Sequence, residues 1–203
     1  MPADDRRHCP ATLRNRRPIL KVLARLLPEK GKVLEVASGT GEHAIYFGRR
    51  LRGIVWQPSD RDPELLASIE AWREEAKLEN VRPALVLDVL EAPWPVKEAD
   101  AIFCSNMIHI APWEAAEGLF RGAADVLPQG GLLILYGPFR EGGQHTSESN
   151  RLFDEKLRSQ NPAWGVRDRG EVEALARREG FACEEVVRMP ANNLMLVFRR
   201  ESA

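Results

Sequence analysis

Two glycines one residue apart, Gly39 and Gly41, follow a short apolar run, Lys32 to Val36, that carries an acid, Glu35, inside it. The chain then restarts with helical periodicity, so the segment reads as a strand, a tight turn and a helix. Glycines remove Cβ atoms where the backbone must turn sharply and lie close to a ligand, and the helix that follows aims its free N–H groups the same way. The turn is a seat for a nucleotide-like cofactor.

Gly39-Thr40-Gly41-Glu42-His43-Ala44 satisfies the loose dinucleotide pattern G-x-G-x-x-A. Two acids argue against a pyrophosphate: Glu35 in the strand, and Glu42 at the helix opening, where a bound phosphate would be repelled. An uncharged or cationic ligand end fits better. S-adenosylmethionine carries a sulfonium and an ammonium and no phosphate, which makes it the expected cofactor.

Ligands of open α/β sheets gather beyond the carboxyl ends of the strands, and four consecutive strands end here in polar residues. Asp60 lies 19 residues past Gly41 and can accept two hydrogen bonds from ribose hydroxyls, or cap the following turn. Asp88 can accept from an adenine amine, with Val89 offering an apolar edge to the ring. The fourth strand runs into Cys104-Ser105-Asn106-Met107-Ile108-His109, which points Asn106 and His109 at the cleft. His109 is the first candidate for a catalytic base and Tyr136, after the next strand, the second; His145 and Asp154 are further candidates.

The elements that must position these groups alternate. Leu13, Leu20, Leu23, Leu26 and Leu27 predict a leading helix over 11–27, part of an N-terminal extension of about 30 residues. Strands follow at 32–36, 54–57, 84–87, 99–104 and 131–136, with helices at 42–51, 63–78 (Asp62 as N-cap) and 112–127 between them. After a polar stretch, 137–147, that reads as a lid or a surface loop come helices near 148–160 and 168–178. Strands at 183–188 and 194–199 form a terminal hairpin. Crossovers of this kind give a Rossmann-like, doubly wound α/β sheet of seven strands, mostly parallel with one antiparallel strand in the C-terminal hairpin.

With 203 residues, 44% of them hydrophobic, the chain can bury one core and is expected to form a single domain. Lys and Arg total 29 against 30 Asp and Glu, a net charge of -1, so the strong positive field of a nucleic-acid or membrane binder is missing and a small-molecule partner is expected. Three scattered cysteines and four histidines offer no metal-ligand spacing. The longest apolar runs are strand-sized and no hydrophobic signal core opens the sequence, which predicts a cytoplasmic protein.

Taken together, these stretches resemble a class I S-adenosylmethionine-dependent methyltransferase, with Ala37 where the first glycine of the acid-x-G-x-G-x-G motif usually stands. A methyl there fits a backbone of negative φ. Ala11 to Ile19, Ser147 to Asn150 with Phe153-Asp154, Trp164 to Asp168 and Met189 to Asn193 are similar to a group called methyltransferase-like 26. The resemblance implies that Gly39 and Gly41 meet the methionine part of the cofactor, Asp60 the ribose and Asp88 the adenine. It also implies that Arg14 or Asn15 meets the cofactor carboxylate from the leading helix.

Methyl transfer from a sulfonium is an in-line displacement with an activated donor, so alignment and exclusion of water do much of the work. Asn192 and Asn193 read either as amides reaching into an acceptor pocket or as turn residues. Two other functions fit the same sequence: a non-catalytic S-adenosylmethionine-binding regulatory protein, and an NAD-binding oxidoreductase, against which stand the acids around the glycine turn and the terminal hairpin.

Overall fold

A computed structural model describes residues 5–202. The elements in chain order are α1 (Pro10–Leu26), β1 (Gly31–Val36), α2 (Glu42–Gly48), β2 (Ile54–Asp60), α3 (Pro63–Ala76), β3 (Leu85–Val86), β4 (Ala101–Ser105), α4 (Trp113–Val126), β5 (Leu132–Gly137), β6 (Arg140–Glu141), β7 (Gln144–His145), α5 (Glu148–Gln160), α6 (Arg169–Arg178), β8 (Phe181–Met189) and β9 (Asn193–Arg200). Seven strands form one sheet in the order β3-β2-β1-β4-β5-β9-β8. β2 and β3 run parallel to β1, while β9 pairs antiparallel with both β5 and β8, so one strand is reversed as the hairpin requires. β6 and β7 make a separate two-stranded ribbon inside the polar stretch that the sequence presented as lid or loop.

The chain's contacts fall into two compact units. One holds residues up to Asp88 together with Ala99–Phe103; the other holds Val89–Glu98 and the chain from Cys104 onward. In the first, β1 and β2 are in register with Leu34 opposite Gln57 and Glu35 opposite Pro58. Phe47, Trp56 and Phe103 pack ring against ring there, all buried. In the second, Phe120 of α4 meets Phe181 of β8 and Phe198 of β9 edge to face. Such aromatic pairs add to area burial because edge and face carry opposite partial charge.

Local chemistry sets the element ends. Asp62 accepts from the N–H of Glu64 at 2.9 Å and caps α3, with Pro63 in the first helical position, as the sequence predicts. Pro112 lies just outside α4 and not inside it, and Asp168 caps α6 by accepting from Gly170 N. The leading helix is present, and the face it buries carries Ile19, Val22 and Leu23 with Thr12, while Leu13 is 54% exposed. Pro18 inside α1 carries no N–H, yet the helix continues through it.

Gly118 in α4 is a close-approach glycine. A Cβ built on it would lie 2.3 Å from the carbonyl oxygen of Val89, a backbone atom that cannot swing aside. Alanine in mid-helix is normally favoured over glycine by about 1 kcal/mol, whereas overpacking costs about 1–3 kcal/mol. The second effect wins here. Gly118→Ala is therefore expected to lower stability in urea denaturation, and an equal or higher midpoint would show that the Val89 segment yields.

Candidate functional site

In the first unit the carboxyl ends of β1 and β2 are laced together by short polar bonds. Ser38 N donates to Ser59 O at 2.8 Å, Ser59 Oγ to Glu35 O at 2.8 Å, and Ser59 N to Ser38 Oγ at 3.2 Å. Asp60 completes the lacing: Oδ2 accepts from Gly39 N at 2.9 Å and Oδ1 from Asp62 N at 3.1 Å. Of its two expected roles the cap of the following turn is seen, and the same side chain also holds the glycine turn. A carboxylate has about four acceptor positions, and the backbone N–H groups of Gly39, Asp62 and Arg61 engage some of them. Burial raises its pKa, opposed by the backbone N–H groups it accepts from.

The glycine turn takes the left-handed conformations that favour glycine, φ 59° at Gly39 and φ 90° at Gly41. Gly41 also lies against α3, where a Cβ would sit 2.8 Å from Ile69 Cα. Ala37 corrects the sequence reading: its φ is 55°, not negative, so the methyl is accommodated in a strained conformation. Glu42 opens α2 as expected and is buried. Its Oε2 accepts from Cys9 N at 2.7 Å and from Thr40 Oγ1 at 3.0 Å, and its Oε1 faces His8. The segment before α1 is thereby tied to the glycine turn, and Trp72 Nε1 also donates to Arg7 O at 3.0 Å. That contact has no periodic signature in the sequence.

Glu35 is 2% exposed, and its Oε2 accepts from Trp56 Nε1 at 2.8 Å. Burial pushes its pKa up to about 7, against the Trp56 and Ser38 hydrogen bonds, and neighbouring Asp60 raises it further. Asn15 Oδ1 faces His43 Nε2 at 2.8 Å, and burial holds His43 down to about 4, helped by the charge of Arg16. Arg14 is exposed and makes no side-chain bond among the described residues. Asp88 faces Arg61 at 3.4 Å. Glu35, Gly39, Gly41 and Asp60 are thus brought together.

In the second unit Asn106, His109 and Tyr136 belong to one network. Asn106 has φ 63° and its N–H donates to Tyr136 O at 2.8 Å. Tyr136 Oη accepts from Asn193 Nδ2 at 2.9 Å, so Asn193 reaches inward. Asn192 is in the turn with φ 55°, and its carbonyl accepts from Asn150 Nδ2 at 2.9 Å. Asp154 binds Val166 N at 2.7 Å, Arg158 Nε at 3.1 Å and His145 Nε2 at 3.3 Å. Val89, in this unit, has α4 against it through Gly118.

His109 is fully buried, its Nδ1 accepts from Arg167 N at 3.1 Å, and its Nε2 has no partner. Accepting at Nδ1 puts the ring proton on Nε2, which makes that nitrogen a donor. Burial, together with the Arg167 charge, lowers its pKa to about 3, against the Gly165 hydrogen bond and the Asp154 charge. The structure thus corrects the expectation of a base: the one free nitrogen has no lone pair to take a proton with. Arg167, which the sequence reading passed over, clasps the segment by donating from Nε to Ile108 O at 2.9 Å and from Nη2 to Ala111 O at 2.6 Å.

A family model described as "Protein of unknown function (DUF938)" matches residues 6–200. The chain belongs to this family. Among solved structures, the DUF938 chain is similar to an O-methyltransferase family protein from Burkholderia thailandensis (TM-score 0.80, 18% identity, 95% of this chain and 58% of that one). It is also similar to CalO1, a methyltransferase in calicheamicin biosynthesis in its SAH-bound form (0.73, 20%, 91% and 53%). A third is a putative sarcosine dimethylglycine methyltransferase from Galdieria sulphuraria (0.76, 16%, 94% and 87%). At these identities the likeness is one of fold, and the DUF938 chain spans little more than half the length of the first two.

Two predictions follow from the first unit. Between pH 4.5, where the Glu35 carboxyl titrates when unfolded, and about 7, the folded state holds a proton that the unfolded state has released, so stability falls as pH rises through that window. Glu35→Gln keeps the acceptor for Trp56 and removes the titration. Relative to the parent it should gain about 3 kcal/mol between pH 4 and pH 8 in denaturant titrations, and a constant difference would show that Glu35 titrates normally. Ala37→Gly should raise stability by about 0.5–1 kcal/mol through relief of the left-handed strain, less the entropy glycine adds to the unfolded chain. A drop in melting temperature would refute the strain.

Proposed function

We propose that this DUF938 protein is an S-adenosylmethionine-dependent methyltransferase acting on a small-molecule acceptor. The observation that carries the reading is the acid-flanked glycine turn. Glu42 stands at the α2 N-terminus, where a pyrophosphate would need bare N–H groups, and the Asp60 carboxylate lies beside Gly39. This set of carboxylate acceptors fits a ribose diol and a cationic ligand end. The reversed β9 beside β5 is a further point against an NAD-binding oxidoreductase. The near-neutral charge and the small-molecule methyltransferases among the similar folds support a small acceptor, and the resemblance to methyltransferase-like 26 agrees with both.

When bound, the cofactor supplies an electrophilic methyl group. The chain's residues bind and orient: Gly39 and Gly41 admit the methionine part against bare backbone, Asp60 accepts from the ribose, and Asp88 and Val89 take the adenine. Asn15 or Arg14 meets the carboxylate, with Glu35 as a buried carboxyl behind the turn whose pKa burial raises to about 7. Asn106 presents its amide from a left-handed turn, and His109 holds a proton on Nε2 as a neutral donor. Tyr136, oriented by Asn193, is the remaining catalytic candidate on the acceptor side. Orientation of this kind is worth about 7–11 kcal/mol of barrier, so a base is optional. A second reading is a regulatory protein that binds the same cofactor without turnover.

Asp60→Ala should weaken S-adenosylmethionine binding by about 1–3 kcal/mol in titration calorimetry. Unaltered affinity would remove Asp60 from the ribose role. Methyl-tritiated cofactor incubated with a metabolite pool separates the two readings. Label in a small product establishes the enzyme, and tight binding with no transfer establishes the regulator.

A further inference from the structure

Beside the glycine turn, with which it shares Glu42, the surface over α1 and α2 carries a concentration of positive charge that the proposed reaction does not use. A cavity of about 170 Å³ is lined by Arg16, Glu42, Tyr46, Arg49, Arg50 and Trp72, among others. The guanidinium carbons of Arg16 and Arg50 lie 4.6 Å and 3.8 Å from the centroid of the same Tyr46 ring. Arg16 Nε is buried and has no hydrogen-bond partner. None of these three arginines makes an ion pair among the described residues. The acid in the lining, Glu42, already accepts from Cys9 N and Thr40 Oγ1.

Three guanidiniums against one engaged carboxylate leave the cavity positive, and gathering like charges around one ring costs energy that a bound anion removes. A buried N–H of Arg16 without an acceptor calls for the same partner. Guanidinium forks match the geometry of phosphoryl oxygens, and two of them on an aromatic ring are already oriented, so less freedom is lost on binding. The size excludes a nucleotide: ligand pockets for such molecules run from about 300 Å³ upward. It leaves room for a phosphoryl group and a short substituent. The charge of Arg16 is felt nearby, since it helps to lower the pKa of His43.

We propose that Arg16 and Arg50 on the Tyr46 ring, with Arg49 in the same lining, form a binding site for a phosphoryl group, as inorganic phosphate or a small phosphate monoester, next to the proposed cofactor seat.

The test is titration calorimetry of the full chain with inorganic phosphate and with glycerol phosphate, against sodium chloride at matched ionic strength. Saturable binding of either phosphate is expected, weakened about tenfold or more in Arg50→Gln and in Arg16→Gln. Arg50 is exposed, so its variant keeps the test alive should Arg16→Gln fail to fold. Tighter binding of glycerol phosphate assigns the site to an organic monoester, and equal binding assigns it to the free ion. Heats no larger than those of chloride, or affinity untouched by Arg50→Gln, would overturn the proposal. Binding of S-adenosylmethionine, measured on the same samples, reports separately on the cofactor seat.

Discussion

The bond from Gly39 N to the Asp60 carboxylate is the constraint on which the first unit's site depends. A turn that places Ala37, Gly39 and Gly41 at positive φ is not a conformation the chain takes unaided. An anion accepting from a backbone N–H contributes about 1.5–3 kcal/mol, enough to offset one strained residue and to fix the turn against β2. Ser38 and Ser59 add neutral bonds of the same direction. The same carboxylate serves as strap and as prospective ligand group, so it is already held in place when a ribose arrives, and little freedom remains to be lost on binding.

In the second unit Asp154 has the comparable part. It accepts from Val166 N, Arg158 and His145, and Gly165 leaves room for it, since a Cβ there would lie 2.7 Å from Asp154 Oδ1. Gly165 N donates to His109 O and Arg167 N to His109 Nδ1, so one short segment fixes both the carboxylate and the imidazole. Three sequence stretches far apart in the chain are thereby joined. A carboxylate with this many partners is a framework group, and its engagement with Arg158 and Val166 fits it poorly to act as a base.

Much of the fold was legible because periodicity and punctuation agreed. The run Lys32 to Val36 before Gly39, the Asp62-Pro63 start and the hairpin with its reversed strand each carry a local physical cause, and each is found. What escaped the sequence are properties set by tertiary contact. The buried face of α1 is one of them: leucine spacing marks a helix without saying which stripe is covered, and Leu13 is exposed. β6 and β7 are two residues each, too short for an alternating pattern to register. The grouping of Gly39 and Asp60 was legible from strand ends and spacing. The tautomer of His109 was not, because it is decided by Arg167 N, 58 residues further along the chain.

Apart from Lys77 at the end of α3, the described non-glycine residues at positive φ lie at strand ends: Ala37 comes directly after β1, Asn106 directly after β4, and Ala191 with Asn192 lies between β8 and β9. Each has a polar bond beside it: Ser38 N to Ser59 O, Asn106 N to Tyr136 O, and Asn150 Nδ2 to Asn192 O. A left-handed residue at a strand's end turns the next polar groups off the sheet toward whatever lies beyond it. Glycine would do this with less strain and more freedom in the unfolded chain. An alanine or asparagine held by a bond from a neighbouring element gives a stiffer turn, and stiffness at a strand's end is what an alignment-driven reaction requires, because its barrier is sensitive to displacements of about 1 Å.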